Sequence, residues 1–363
     1  MNEEIPKEVL EAFTSYEPDL PDHSAGKIIV EKISGGLINH SYKVCCELKP
    51  DFFLQKINKN VFASPGNVQE NYVQLWKYAE FEFTGLRLPS PKYCGKNSTI
   101  YIDKQENYWR AFEFIEESKT TNKAVTPAQA KATARAFAKF TAAYEEMNIH
   151  KLKSVIPGFH NLSLRYQQFE EALSGQLYER MAKALVIINE LKQREKYKQL
   201  FESIIQSPEF PQRVMHHDAK IANVLFHKKT GKVICPVDYD TVMPGYFFSD
   251  LGDLIRSMAC SEDENSTDFD NIGIQKNFYE AIIAGYIEVM GNFFTEAEKK
   301  YIHYSGLLII YMQALRFITD YLNGDIYYQI SYREEYLNKA KNQFILLQQL
   351  EEFLKKEYDF SIG

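Results

Sequence analysis

Three residues stand where phosphoryl transfer would need them. In Val214-Met215-His216-His217-Asp218-Ala219-Lys220-Ile221-Ala222-Asn223-Val224-Leu225-Phe226, a His-x-Asp is followed after four residues by Asn. Asp238 stands twenty residues beyond Asp218, at the end of the apolar run Val233-Ile234-Cys235-Pro236-Val237. Transfer from ATP asks for a carboxylate to take the attacking hydroxyl's proton, oxygens to hold Mg2+ on the phosphates, and a frame for in-line geometry. Asp218 suits the first task as the catalytic residue. Asn223 offers the metal a neutral oxygen and Asp238 an anionic one, an oxygen-only set of the kind a hard cation prefers. His216 reads as a support residue, its ring hydrogen-bonded to backbone or to Asp250, with no chemical role. His217 reads as an exposed loop residue, with a substrate or phosphate contact as the alternative. Asp240 either assists the metal or caps the Thr241 turn. Asp250 opens a helix, where a carboxylate is favoured and can brace the loop, and Asp253 and Arg256 read as a local helical pair.

These residues need a scaffold, and the chain changes period once along its length. Lys27–Ile33, Ser41–Glu47, Phe52–Ile57, Thr99–Asp103 and Tyr108–Ile115 read as strands. One helix interrupts them at about 67–83, with Val68, Tyr72, Leu75, Trp76 and Ala79 on one face. After Glu117 helical spacing takes over, opening at Thr126-Pro127-Ala128-Gln129 with a capping threonine, proline at the first helical position and glutamine three residues on. Helices are expected at about 127–147, 161–173, 176–206, 270–291, 296–322 and 333–357, the fifth opened by a second capping box at Thr295-Glu296-Ala297-Glu298. In this half only Lys232–Asp238 reads as strand, after a Lys229-Thr230-Gly231 turn. The expected fold class is α+β, with an N-terminal antiparallel sheet and one helix over 1–115, then a larger, mainly helical part over 116–363, two lobes around a cleft.

Composition narrows the rest. The chain has 363 residues, of which 45% are hydrophobic and 25% charged, so disorder is excluded, and 24 Tyr with 25 Phe supply apolar bulk for more than one core. With 49 acidic residues against 42 basic ones the formal charge is −7, which argues against broad nucleic-acid binding by counterion release. Five cysteines form no evident disulfide framework, and Cys45 and Cys46 are neighbours. The N-terminus lacks the apolar run and cleavage site of a signal peptide, and Leu307–Met312 is too short to span a bilayer, so a cytoplasmic protein without membrane or nucleic-acid partners is expected. No GxxxxGK[ST], HExxH, GxSxG or CxxC motif occurs, which removes P-loop, zincin, hydrolase-elbow and thioredoxin readings.

The Val214–Phe226 stretch resembles the catalytic loop of the aminoglycoside phosphotransferase and choline kinase family, relatives of the protein kinases. Ile33-Ser34-Gly35-Gly36-Leu37-Ile38-Asn39-His40-Ser41-Tyr42 resembles that family's glycine-containing loop over ATP, Phe53-Leu54-Gln55-Lys56 its phosphate-contacting strand, and Trp109–Ile115 its hinge. The resemblance implies a protein-kinase-like fold, with ATP and Mg2+ as cofactors. It places Gly35, Gly36, Asn39, Gln55, Lys56, Glu113 and Ile115 at the nucleotide. Within the family the text is most similar to the N-acetylhexosamine 1-kinases, through Asp240-Thr241-Val242-Met243-Pro244, Ile156-Pro157-Gly158-Phe159-His160-Asn161 and the stretch from Leu315 to Tyr328. That likeness implies a small sugar as partner, with Arg316 and Tyr327 reaching it and His160 and Asn161 beside them. Asn161 equally suits a helix start at Leu162. Arg316 and Asp320, four residues apart in an apolar helix, either pair with each other or project a donor and an acceptor towards substrate.

One position departs from the family pattern. A Lys or Arg is expected on the third strand to grip the phosphates, paired with a Glu on the next helix, and the strand offers Gln55 and Lys56, which point to opposite faces. Gln55 would take Asn71 as partner, and Lys56 would take Glu70. The reading is a kinase of a sugar hydroxyl, the anomeric one of an N-acetylhexosamine. Its alternatives are a kinase of choline, homoserine, an aminoglycoside or another small alcohol, and a non-catalytic nucleotide-binding relative. A transition-metal hydrolase using His216, His217, Asp218 and Asp238 is disfavoured, because adjacent histidines seldom reach one metal and Asn223 would be idle.

Overall fold

The computed structural model describes residues 5–17, 28–33, 38–46, 49–95, 97–175, 177–326 and 330–362. Its elements run α1 (Lys7–Tyr16), β1 (Ile28–Ile33), β2 (His40–Cys46), β3 (Lys49–Ile57), α2 (Pro65–Phe81), β4 (Tyr101–Ile102), β5 (Tyr108–Glu113) and β6 (Ser118–Lys119). Next come α3 (Pro127–Ala143), α4 (Leu162–Leu173), α5 (Tyr178–Lys192), α6 (Lys196–Gln206), β7 (Arg213–Met215), β8 (Val224–His227), β9 (Val233–Pro236) and β10 (Met243–Gly245). The chain ends with α7 (Phe248–Met258), α8 (Lys276–Met290), α9 (Glu296–Lys300), α10 (Tyr304–Leu322) and α11 (Glu335–Tyr358). Two compact units emerge: Met1–Lys119 with Glu146–Pro157 and Leu225–Met243, and Thr120–Glu145 with Gly158–Val224 and Pro244–Gly363.

The first unit is built on an antiparallel sheet of order β1-β2-β3-β5-β4. Strand alternation sends Phe52, Leu54, Trp109 and Ala111 into a core closed by Val9, Ala12, Phe13 and Tyr16 of α1. Those four α1 residues fall at i, i+3, i+4 and i+7, the spacing of one helical face. Phe13 stacks on Phe52 at 5.2 Å between centroids, and the Tyr16 hydroxyl donates to the Trp109 carbonyl at 2.6 Å. The sheet therefore carries two helices where the sequence reading had one. The opposite face meets α2, where Tyr72 packs edge-on against Phe112 at 4.8 Å. Lys56, cross-strand partner of Trp109, thus shares the face of α1, while Gln55, partner of Arg110, shares that of α2. A smaller sheet, β6-β8-β9, completes the unit.

The second unit is helical and centres on α10, buried along nearly its whole length. Close approach needs glycine at two crossings. A Cβ on Gly252 of α7 would lie 2.4 Å from the Ser305 carbonyl of α10, and one on Gly285 of α8 would lie 2.4 Å from the Lys131 carbonyl of α3. Helix α3 begins as the capping threonine required, with Thr126 Oγ1 accepting the Gln129 amide at 3.2 Å, although Gln129 Oε1 reaches back to the amide of Val125 and not to that of Thr126. The Thr295/Glu298 capping box is complete.

Several expected spans differ. The run over 176–206 is two helices, broken at 193–195, where Arg194 bonds the carboxylates of Glu190 and Glu351. The run over 296–322 breaks at 301–303, where the ring of His303 stacks on Tyr279. Helix α8 starts at Lys276 and not near 270, because Ile274 is held in a bridge to Cys260. Strands β7, β8 and β10 were not expected; at three or four residues they are too short to show a period.

Candidate active site

In the second unit, β7 delivers the chain into His216-His217-Asp218. Its first residue, Arg213, is buried and bonded to the carboxylates of Glu298 (Nη1 at 2.5 Å) and Glu145 (Nε at 3.1 Å), which fixes where the loop starts. The loop is then held by Asp250 in the first turn of α7, whose Oδ2 accepts the amide of His216 at 2.9 Å and Oδ1 that of His217 at 2.7 Å. Asp250 thus braces the loop through backbone, and the His216 ring packs edge-on against Phe137 at 5.0 Å and Phe140 at 5.8 Å. Burial pushes the Asp250 carboxyl up to about 7 despite these two N–H bonds, and burial likewise pushes Asp253 up to about 6 against the pull of Arg256.

His217 is buried, not exposed as the sequence reading had it. Its backbone sits at φ 64°, and the ring lies against Gly245, where a Cβ would fall 2.4 Å from His217 Cε1. Its Nδ1 is 2.7 Å from Ser249 Oγ, which is also 2.6 Å from His160 Nδ1. One hydroxyl therefore bridges two imidazoles. His160 stacks on Phe159 at 4.7 Å, and the guanidinium of Arg316 lies over the same Phe159 ring at 5.5 Å. Burial, reinforced by His217 and Arg316, pushes the His160 pKa well below the ordinary 6.5, so its ring stays neutral at pH 7.

Asp218 is half-buried. Asn223, closing a 3-10 turn at Ile221–Asn223, donates through Nδ2 to the Asp218 carbonyl at 2.9 Å and to its Oδ2 at 2.8 Å. Lys220 Nζ is 2.9 Å from the same Oδ2. Burial alone would raise this carboxyl, but Lys220 and Asn223 hold it below the usual carboxylate range, so it is ionised at neutral pH and able to accept a proton. Both of these Asn223 bonds are made through Nδ2, and the residue is buried. Asp320 is buried on α10, and Arg316 there donates to Gln313 Oε1 at 2.7 Å. Asn161 caps α4, its Oδ1 accepting the Leu164 amide at 3.0 Å. Tyr327 lies outside the described residues, as do Gly35 and Gly36.

In the first unit, Asp238 follows β9 at φ 65° and is exposed, opening the 3-10 turn Tyr239–Thr241. Asn223 and Asp238 supply oxygen donors only. Among the described residues no group of three or more His, Cys, Asp or Glu side chains is arranged to hold a metal ion. Asn223 and Asp238, each taken by itself, offer the hard oxygen donor that Mg2+ prefers. Asp240 is buried in the turn. Its Oδ2 accepts from Asn39 Nδ2 at 2.6 Å and its Oδ1 from the guanidinium of Arg110. Arg110 also donates from Nε to Gln55 Oε1 at 2.9 Å, and Gln55 in turn donates to Ser41 Oγ at 2.9 Å. Lys56 instead pairs with Glu8 of α1 at 3.1 Å.

Asn71 is buried and donates to the carbonyls of Lys153 (2.8 Å) and Val242 (2.9 Å), while Glu70 reaches Lys153 Nζ at 3.5 Å, so neither partners the Gln55-Lys56 dipeptide as expected. In the Trp109–Ile115 segment the Glu113 amide donates to the Ser90 carbonyl at 2.9 Å, and the Ile115 carbonyl accepts from Ser118 Oγ at 2.5 Å. The residues that sequence reasoning missed are Arg110 and Ser249. A charged residue amid Tyr108-Trp109-Arg110-Ala111-Phe112 was the available signal, since a buried guanidinium demands acceptors.

Comparison with known proteins agrees with this architecture. The sequence model of the APH phosphotransferase enzyme family matches residues 30–293. An aminoglycoside phosphotransferase from Alicyclobacillus acidocaldarius superposes with a TM-score of 0.62 at 12% identity, covering 97% of each chain. An amicoumacin kinase solved with AMP-PNP and Ca2+ gives 0.60 at 13% identity, covering 95% of this chain and 94% of its own. A choline kinase from Cryptosporidium parvum Iowa II gives 0.53 at 16%, covering 97% of each chain. All three share the fold, an N-terminal antiparallel sheet followed by a helical remainder.

Proposed function

The chain belongs to the phosphotransferase enzyme family, and from that premise we propose that it transfers the γ-phosphate of ATP to a hydroxyl of a small molecule, the anomeric hydroxyl of an N-acetylhexosamine or related hexose. The observation that carries the transfer reaction is the Asp218 carboxylate, kept ionised by Lys220 and oriented by Asn223 on a loop anchored to the buried Asp250. Such a carboxylate aligns the acceptor's O–H and takes its proton as the bond to phosphorus forms and that to the ADP oxygen breaks. With a loose transition state, orientation counts for more than basicity, so a depressed pKa is compatible with the role. Asn223 and Asp238 would hold Mg2+, which neutralises charge on the transferring phosphoryl group. Asn39 and the hinge around Glu113–Ile115, together with Gly35 and Gly36, are assigned to the nucleotide.

For the acceptor, the support is chemical. Arg316 and Asp320 on α10, with His160, bring a cationic donor, a carboxyl group and a neutral ring, which suits an uncharged polyol. Tyr327 is assigned to the same acceptor from its sequence context, whereas the Asn161 side chain is taken up in capping α4.

The test is ADP release with ATP and Mg2+ over N-acetylhexosamines, hexoses, choline, homoserine, 1-amino-2-propanol and kanamycin, repeated with Asp218→Asn. Turnover on a sugar, reduced at least about a thousandfold in the variant, is the expected outcome. Turnover on another alcohol alone would move the acceptor while keeping the kinase, and ATP binding without turnover on any of these would remove the sugar assignment.

A further inference from the structure

The sheet poses an electrostatic question that the proposed reaction leaves open. A triphosphate brought to the first unit carries several negative charges, and the third strand meets it with a neutral amide, because Lys56 is turned to the other face and held by Glu8. One strand over, directly across from Gln55, Arg110 occupies the α2 face with its guanidinium oriented by two acceptors, Gln55 Oε1 and Asp240 Oδ1. Those bonds use Nε and Nη2. Nη1 makes no hydrogen bond among the described residues, and it is not among the side-chain atoms sealed from solvent. Asp240 ties this arginine to Asn39 on one side, at the edge of the glycine-containing loop, and lies two residues from Asp238 on the other.

Resting on the kinase reading, we propose that Arg110 is the cation that takes the nucleotide's phosphates, through its Nη1 edge, with Gln55 and Asp240 as the residues that aim it. The positive charge has moved one strand sideways, and the glutamine on the third strand has become its orienting acceptor. A planar guanidinium fixed through one edge presents the other as a ready donor pair, which costs little ordering on binding.

The experiment compares ATP, ADP and adenosine binding by calorimetry in the full-length chain, since adenosine keeps the base and ribose and lacks the phosphates. Arg110→Met is expected to weaken ATP and ADP by about ten- to a hundredfold, leaving adenosine within about twofold. A paired exchange, Gln55→Arg with Arg110→Gln, puts the charge back on the third strand while keeping an amide opposite, and it is expected to recover most of the lost ATP affinity. Equal weakening of ATP and adenosine, or no weakening of either, overturns the proposal, because a merely structural arginine would not separate the two ligands. If Arg110→Met does not fold, Arg110→Lys reads the same ratio: the charge stays but one donor is lost, so ATP falls at least about threefold against adenosine, and an unchanged ratio overturns the proposal. Wild-type protein that binds none of the three ligands would sink the kinase reading itself, and this proposal with it.

Discussion

Single side chains set the site's protonation, and one distant histidine reports the same physics in a simpler setting. His303 donates to or accepts from the Tyr279 hydroxyl at 2.6 Å and packs against Tyr358, and burial lowers its pKa to about 4 from the ordinary 6.5. The folded chain refuses a proton that the unfolded chain takes near 6.5, so stability present above that pH is lost as the pH falls towards 4. At pH 5 the loss amounts to about 2 kcal/mol. Urea unfolding at pH 7 and pH 5 is expected to show this loss in the wild type relative to His303→Phe, and equal slopes in the two proteins would refute the assignment. Residue-level legibility was uneven. Asp218, Asn223 and Asp238 stand out in the sequence because their spacing is local. Arg110 was not, because its meaning depends on which residue lies across the sheet, and register is set by pairing that a single strand does not announce. His217 was misread because its burial follows from a left-handed backbone that pattern reasoning does not anticipate.

Elements were legible where their faces repeat and illegible where they are short or where a distant partner decides their ends. Helix α1 carries a regular apolar face at Val9, Ala12, Phe13 and Tyr16, so its signal was present in the text and simply lay outside the strand pattern that follows. Its removal has a definite cost: Phe13→Ala, losing the stack on Phe52, is expected to lower the unfolding free energy by about 3–5 kcal/mol in denaturant titrations. The breaks at 193–195 and 301–303 carry no glycine or proline. They follow from contacts to α11 and α8, and no local rule could have found them. Between α3 and α8 the fit is tight enough that Gly285→Ala, with a Cβ aimed at the Lys131 carbonyl, is expected to cost about 1–3 kcal/mol by the same measurement. An unchanged midpoint would show, for Gly285→Ala, that the helix moves to make room and, for Phe13→Ala, that the stack on Phe52 contributes little.

For the molecule as a whole, the fold class and the family were accessible from sequence, while the acceptor was not. A fold of this kind is shared by enzymes that phosphorylate unlike alcohols, so substrate identity lives in a few side chains and not in the architecture. If the kinase reading holds, Mg2+ and ATP bind the native state alone, and at a hundredfold excess over Kd they should add about 2.7 kcal/mol to stability. A thermal-shift measurement checks this, and an unmoved transition would count against the reading. The bond from Asp250 to the amides of His216 and His217 has a consequence for motion. Those two N–H groups can exchange with solvent deuterium only when the carboxylate lets go, and it is carried by α7, which glycine contact seats on the buried α10. The loop bearing Asp218 should therefore open as part of the most slowly exchanging cooperative block of its unit, and not with the frayed surface loops. On the timescale of turnover it would act as a fixed template, so any rearrangement that admits or releases ligand has to be carried by other segments.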